Sequence, residues 1–144
     1  MTPTARDLLS LKNSVVVFTC SPETPVRDAC RMMRDRRVGS LVVVRGAEVQ
    51  GLLTERDVVK RVVAEGVDPS ASPVRDVMER EVATASLEAG CDEIEALLRR
   101  RRARYVPIVG ARGLLGMVSL GDIARFHVAR ERALARNGFA AEAH

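Results

Sequence analysis

Apolar and polar positions alternate between two periods along this chain, and the order of the switches recurs. "VVVFT", from Val15 to Thr19, is a short β-branched run that predicts a strand. "SPETPVRDACRMMRDRR" follows, with turn residues first and then Val26, Ala29, Met32 and Met33 at helical spacing. "SLVVV" is a continuous apolar run, as expected of a strand buried on both faces. After a "RGAE" turn, "VQGLLT" predicts a third strand. Thr54 then predicts a helix cap, with Val58, Val59, Val62 and Val63 inward and an end near Gly66.

The same order returns in "VATAS", "GCDEIEALLRRRR", "YVPIV", "GLLGMV" and "SLGDIARFHVARERALAR". Shifting the sequence by 65 positions superposes Gly51 on Gly116, Thr54 on Ser119 and Asp57 on Asp122 without a gap. Thr19 meets Thr84, Ser21 meets Ser86, Glu23 meets Glu88, and Arg36–Arg37 meet Arg101–Arg102. This is an internal repeat. Each unit reads strand–helix–strand–strand–helix, with "VDPSASP" as linker and "VRDVME" as one helical turn. The expected boundaries are an N-terminal segment 1–14, repeats at 15–66 and 80–130, a linker 67–79 and a helical end and tail 131–144. The last helix is expected to stop at Asn137–Gly138. A three-stranded unit covers only part of its apolar surface, so the two should pack sheet to sheet as one α+β, pseudo-symmetric body.

Composition narrows the function. The chain has 144 residues and is 47% apolar, which favours a folded class over disorder. No apolar run nears the roughly 18 residues of a membrane span, and no secretory leader is visible, so a cytoplasmic location without membrane partners is expected. Cys20, Cys30 and Cys91 form no CxxC pair, which argues against a disulfide framework or metal site. Lys and Arg exceed Asp and Glu by 23 to 19, or +4, and the dense part is "LLRRRRARY". That run reads either as the solvated end of a helix or as an anion site. Nucleic acid is a poor fit, since one tyrosine, three phenylalanines and no tryptophan leave little to stack on bases. Catalysis has no support: no histidine neighbours a nucleophile, and no phosphate-cradling glycine loop is present.

"GLLTERDVV" and "GMVSLGDIA" each place a hydroxyl three residues before an aspartate. A capping box accounts for both. So does nucleoside recognition, in which a carboxylate takes the ribose hydroxyls and apolar strands take the base. With "RRVGSLVVV" and "RRARYVPIV" upstream, the paired motifs resemble a tandem pair of CBS domains, the cystathionine-β-synthase repeat. The resemblance covers about Val15 to Arg130. It implies a βαββα pair that dimerises as a disc and senses AMP, ADP, ATP, NAD(H) or S-adenosylmethionine. It also implies a regulatory role toward another protein rather than catalysis. By that resemblance Thr54, Arg56 and Asp57 share a site with Thr84, Ala103, Arg104, Tyr105 and Pro107. Ser119 and Asp122 share another with Thr19, Val38, Gly39 and Ser40. Arg56, Arg104 and Arg102 favour the first site for a charged nucleotide, because Gly121 and Gly39 replace Arg56 and Arg104 in the second. Val42 stands where the second repeat has Pro107, so one adenine pocket lacks its stiff turn. A ligand-free interaction module is the alternative. The last helix, with Ile123, Phe126 and Val128 or Leu134 at loosely helical spacing, is expected either to form the dimer or partner surface or to cap its own core.

Overall fold

The computed structural model describes residues 2–12 and 17–142. Its elements run α1 (Ala5–Ser10), β1 (Thr19–Cys20), α2 (Val26–Arg36), β2 (Ser40–Arg45), β3 (Glu48–Thr54) and α3 (Glu55–Asp57). A π-helical turn, Val58–Val63, continues α3, and a 3₁₀ turn, Val74–Asp76, precedes the second half. Then come α4 (Cys91–Arg101), β4 (Tyr105–Gly110), β5 (Gly113–Ser119) and α5 (Leu120–Glu142). This is the expected α+β pair, with β3 of one half facing β5 of the other.

The halves agree in register as well as order. Ser40 pairs with Thr54 and Tyr105 with Ser119, while the β-bulges fall after Val43 and after Ile108. Each pair of positions differs by the 65 residues of the repeat. Helices α2 and α4 both end in a left-handed arginine, Arg37 (φ 56°) and Arg102 (φ 53°), whose N–H returns to the preceding turn.

Neither half closes its own core. Ala5, Leu8 and Leu9 of α1 are buried with Ile94, Leu98, Val106 and Ile123 of the second repeat. Val74, Val77 and Met78, which lead into the second repeat, are buried with Leu41, Val43, Leu53 and Val62 of the first. The backbone bonds match pair by pair. Ala5 N–H donates to Ala89 O (2.9 Å) as Val74 N–H donates to Thr24 O (2.8 Å). Arg6 N–H donates to Leu87 O (3.0 Å) as Arg75 N–H donates to Pro22 O (2.9 Å). "ARDLL" and "VRDVM" are therefore one more repeated element, spaced by 69 rather than 65.

That exchange explains the motif glycines. A Cβ on Gly51 would lie 2.6 Å from Met78 Sδ and 2.7 Å from the Glu79 carbonyl oxygen. A Cβ on Gly116 would lie 2.8 Å from Leu9 Cδ1. Glycine lets the leading segment of the opposite half settle onto the strand.

Four expectations are corrected. "VATAS" forms no full strand: Ala85 alone bridges to Ile108. In the first half Val42 N–H donates to Phe18 O (3.1 Å), and Pro107, the counterpart of Val42, has no N–H to give. Val59 and Val63 point outward, 60% and 70% exposed, because the π-helical turn leaves Val62 buried and Val58 partly so. Helix α5 does not stop at Asn137–Gly138 but continues to Glu142. On the last helix Ile123 is buried in the second core and Phe126 packs against it, so that face caps the core, while Val128 and Leu134 are exposed. The N-terminal segment, for which no element was expected, forms α1. Val15 and Val16, and the boundary between segment and first repeat, lie outside the described residues.

Substituting Gly51 by Ala should cost about 1–3 kcal/mol, the usual range for overpacking. Gly116→Ala should cost clearly less, because the tip of Leu9 can turn aside and the Glu79 backbone, bonded to Leu52, cannot. Urea unfolding of both variants measures the difference. The reverse order would mean that Leu9 is held as firmly as a strand.

Candidate functional site

The cleft forms where α3 meets the second repeat. Thr54 and Asp57 make a reciprocal cap, with Thr54 N–H donating to Asp57 Oδ2 (2.9 Å) and Asp57 N–H to Thr54 Oγ1 (3.1 Å). Glu55 N–H donates to Gly39 O (3.0 Å), which seats the helix start beside β2. Facing it are the end of α4, the start of β4 and the segment 79–83. Together they enclose about 470 Å³, within the range of small-molecule sites.

Thr54, Arg56, Asp57, Ala103, Arg104 and Tyr105 all line this cleft, as expected of the first site. Gly39 lines it too, although the resemblance assigned it to the other site. The Tyr105 hydroxyl reaches across the boundary and would lie 3.1 Å from a Cβ on Gly39. Thr84 lies instead in a shallow groove with Glu93 and Arg100, and Pro107 is buried inside β4 away from the cleft.

Several lining groups were not among the residues expected at this site. Glu55, Glu79 and Glu81 add carboxylates, Arg101 a guanidinium, and Leu52, Val82, Ala83 and Leu97 an apolar wall. Arg101 donates to Glu81 O (3.1 Å) and ties the wall to α4. Val82 and Ala83 are the repeat partners of Val17 and Phe18, so the alignment held that signal. The lining carries four arginines and four acids, with Arg101, Arg102 and Arg104 at the α4–β4 end and Arg56 on α3 beside Asp57.

The second expected site is arranged differently. Ser119 and Asp122 form the same reciprocal cap, at 2.9 and 3.0 Å. Asp122 is also paired to Lys12 Nζ (3.1 Å) and to Arg125 (2.5 Å). The hollow beside it is lined by α1 and α5, through Leu8, Leu11, Lys12, Arg125, Phe126 and Ala129. Thr19 lies in a separate depression with Val44 and Arg112, Val38 packs on the first core, and Ser40 pairs with Thr54. The described residues do not bring these three together with Asp122.

Other chemistry is sparse. Burial pushes the Cys20 thiol up to about 11 and raises those of Cys30 and Cys91, so all three are protonated near neutrality. Among the described residues, no group of three or more His, Cys, Asp or Glu side chains could hold a metal ion. No described helix is long and apolar enough to cross a membrane.

The family model for the CBS domain matches residues 4–64 and again 74–129. The chain belongs to the CBS-domain family. Each match begins at a leading segment, so the family unit includes the element that the halves exchange. The CBS domain-containing protein YhcV of Bacillus subtilis is 32% identical over 117 residues, 81% of this chain and 83% of that one. The mitochondrial CBSX3 protein of Arabidopsis thaliana is 33% identical over 78% of this chain and 57% of its own length. Among solved structures, a protein with CBS domains from Burkholderia ambifaria superposes with a TM-score of 0.82 at 29% identity. That likeness covers 88% of this chain and 94% of the other. Tandem CBS domains are typically regulatory and ligand-binding modules.

Burial pushes the pKa of Asp122 up, but the Ser119 N–H, Lys12 and Arg125 outweigh it and hold the carboxyl below its ordinary 3.8. The stability it contributes is complete above that ordinary value and is lost as pH falls through the lower folded value. Melting temperatures of the wild type and Asp122→Asn, followed from about pH 6 to about pH 2.5, should converge at the acid end. A constant gap would mean that the carboxylate charge contributes nothing.

Proposed function

We propose that the chain is a regulatory sensor that binds an adenosine-containing ligand in the Asp57 cleft. Asp57 takes the ribose hydroxyls, and Val82, Ala83 and Leu97 offer apolar surface to the base. Arg56, Arg102 and Arg104 meet the phosphates of AMP, ADP, ATP or NAD, or the carboxylate of S-adenosylmethionine. The observation that carries this reading is the convergence of both halves on one cavity, an aspartate from one side and an arginine cluster from the other. A CBS domain pair solved in complex with methylthioadenosine and S-adenosyl-L-methionine shares the fold (TM-score 0.78), but at 20% identity it speaks for the fold alone. The ligand class therefore rests on the residues.

A regulator suits the relatives better than an enzyme does. The inosine-5'-monophosphate dehydrogenase of Thermoplasma acidophilum is 36% identical over 74% of this chain, yet the match covers only 21% of that enzyme. What is shared is a minor part of it. Output passes through a homodimer or a second protein, and Val59, Val63 and Val128 supply exposed apolar surface for the contact. Val63 and Val128 are repeat partners, so each half presents the same feature. A cytoplasmic location fits a sensor of these ligands.

A thermal-shift screen with AMP, ADP, ATP, NAD, NADH and S-adenosylmethionine tests the proposal. Ligand at about 100 times its dissociation constant adds about 2.7 kcal/mol, a rise of several degrees for a chain of this size. The rise should vanish in Asp57→Ala. No shift with any of the six at millimolar concentration overturns ligand sensing and leaves an interaction module. Arg104→Ala should weaken ATP about 10- to 100-fold and adenosine hardly at all, by isothermal titration, as befits loss of a charge-assisted bond. Equal weakening of both would place Arg104 outside the phosphate position.

A further inference from the structure

The two capped aspartates are equivalent in sequence and unequal in surroundings, and the difference comes from the exchanged leading segments. Leu9 and Met78 are matched positions, each filling the space over a motif glycine. Three residues further on stand Lys12 and Glu81. In the first half the chain extends after the 3₁₀ turn, so that Glu79 N–H donates to Leu52 O (2.9 Å) and Glu81 runs along the open cleft. In the second half helix α1 continues to Ser10, and the counterpart carbonyl of Met117 accepts instead from Lys12 Nζ (2.9 Å). The same ammonium lies 3.1 Å from Asp122 Oδ2. Asp122 thus has a base against it, whereas Asp57 opens onto a cleft whose matching position holds an acid.

Asp57 uses Oδ2 for its cap and, among the described residues, has no partner on Oδ1. Asp122 has both oxygens engaged, Oδ2 by Ser119 N–H and Lys12, and Oδ1 by Arg125. The two cations are not equally fixed. Arg125 has a side chain 73% exposed and can swing aside, whereas Lys12, at 31%, is pinned by a carbonyl and a carboxylate together.

We propose that Lys12 is the chain's own occupant of the second ribose position, closing Asp122 to ligand and leaving each chain a single adenosine site at Asp57. The inference rests on the reading of the capped aspartate as a ribose-binding group. It identifies Lys12 as the residue that sets how many ligands the chain binds.

Isothermal titration with AMP and with ATP tests it on the wild type, Lys12→Met, Lys12→Gln and the double variant Lys12→Met/Asp57→Ala. Melting curves confirm that each is folded. The expected stoichiometry is one ligand per wild-type chain and two per Lys12→Met chain. The double variant should bind one, now at Asp122. Lys12→Gln keeps the length and removes the charge, so it should also gain the second site and serves if Lys12→Met does not fold. Two ligands on the wild type overturn the inference, as does a folded Lys12 variant that still binds one. If the wild type binds none but the Lys12 variants gain a site, the closure of Asp122 by Lys12 stands and the Asp57 reading fails. If no protein of the set binds either nucleotide, both fall.

Discussion

Everything in this molecule depends on a reciprocal exchange of two short leading segments. Residues 3–10 complete the core of the second repeat, and residues 72–78 complete that of the first. Each repeat alone presents a small sheet with one uncovered edge and a core short of three apolar side chains. Burial of Leu8, Val77 and their neighbours is worth roughly 1.5–3 kcal/mol per side chain, a large share of the stability of a domain this small. The exchange therefore binds the repeats into one cooperative unit. It also ties the start of the chain to its far end, a long-range closure that tends to slow folding.

The same exchange decides the character of the cleft. Because residues 79–83 leave the first core and run toward the second repeat, they become the floor between α3 and α4. A ligand there touches both halves and the segment that connects them. Arg61, on the π-helical turn, donates to Met78 O (2.9 Å) and pairs with Glu79 (3.1 Å). Movement of α3 against the second repeat is thus coupled through side-chain bonds to the linker. A ligand that favours one spacing of the halves biases the whole body.

Most of the architecture was legible because the repeat is ungapped. An offset of 65 carried the glycines, the capping hydroxyls and the aspartates, and the register of the hairpins follows it to the bulge. The leading segments escaped because their offset is 69: Met78 stands six residues before Thr84 where Leu9 stands ten before Thr19, which moves Arg75–Asp76 out of step with Arg6–Asp7. Pro107 was visible, but the lost ladder bond that reduces "VATAS" to one bridge appears only once its partner, the Val42–Phe18 bond, is known. The cleft itself was half legible. Asp57, Arg104 and Tyr105 follow from the motif, whereas Glu81 arrives with the chain that follows the exchanged segment, and Arg101, at the end of α4, is tied to it. For the same reason Lys12 gave no sign of its proximity to Asp122, 110 residues away.

A swap that is the same in both directions has a meaning for how such a chain could arise. Consider one unit alone, a leading segment followed by its repeat. In this chain neither leading segment lies on the repeat that follows it, and two separate copies can trade segments in the same way, each bonding to the other as Ala5 bonds to Ala89 and Val74 to Thr24. That is an isologous two-chain assembly with every core position filled. Joining the copies end to end, with a linker of a few residues, turns an association that depends on concentration into one that does not. Fusion also releases the halves from identity: once on one chain, a lysine can settle on one aspartate while the other stays open.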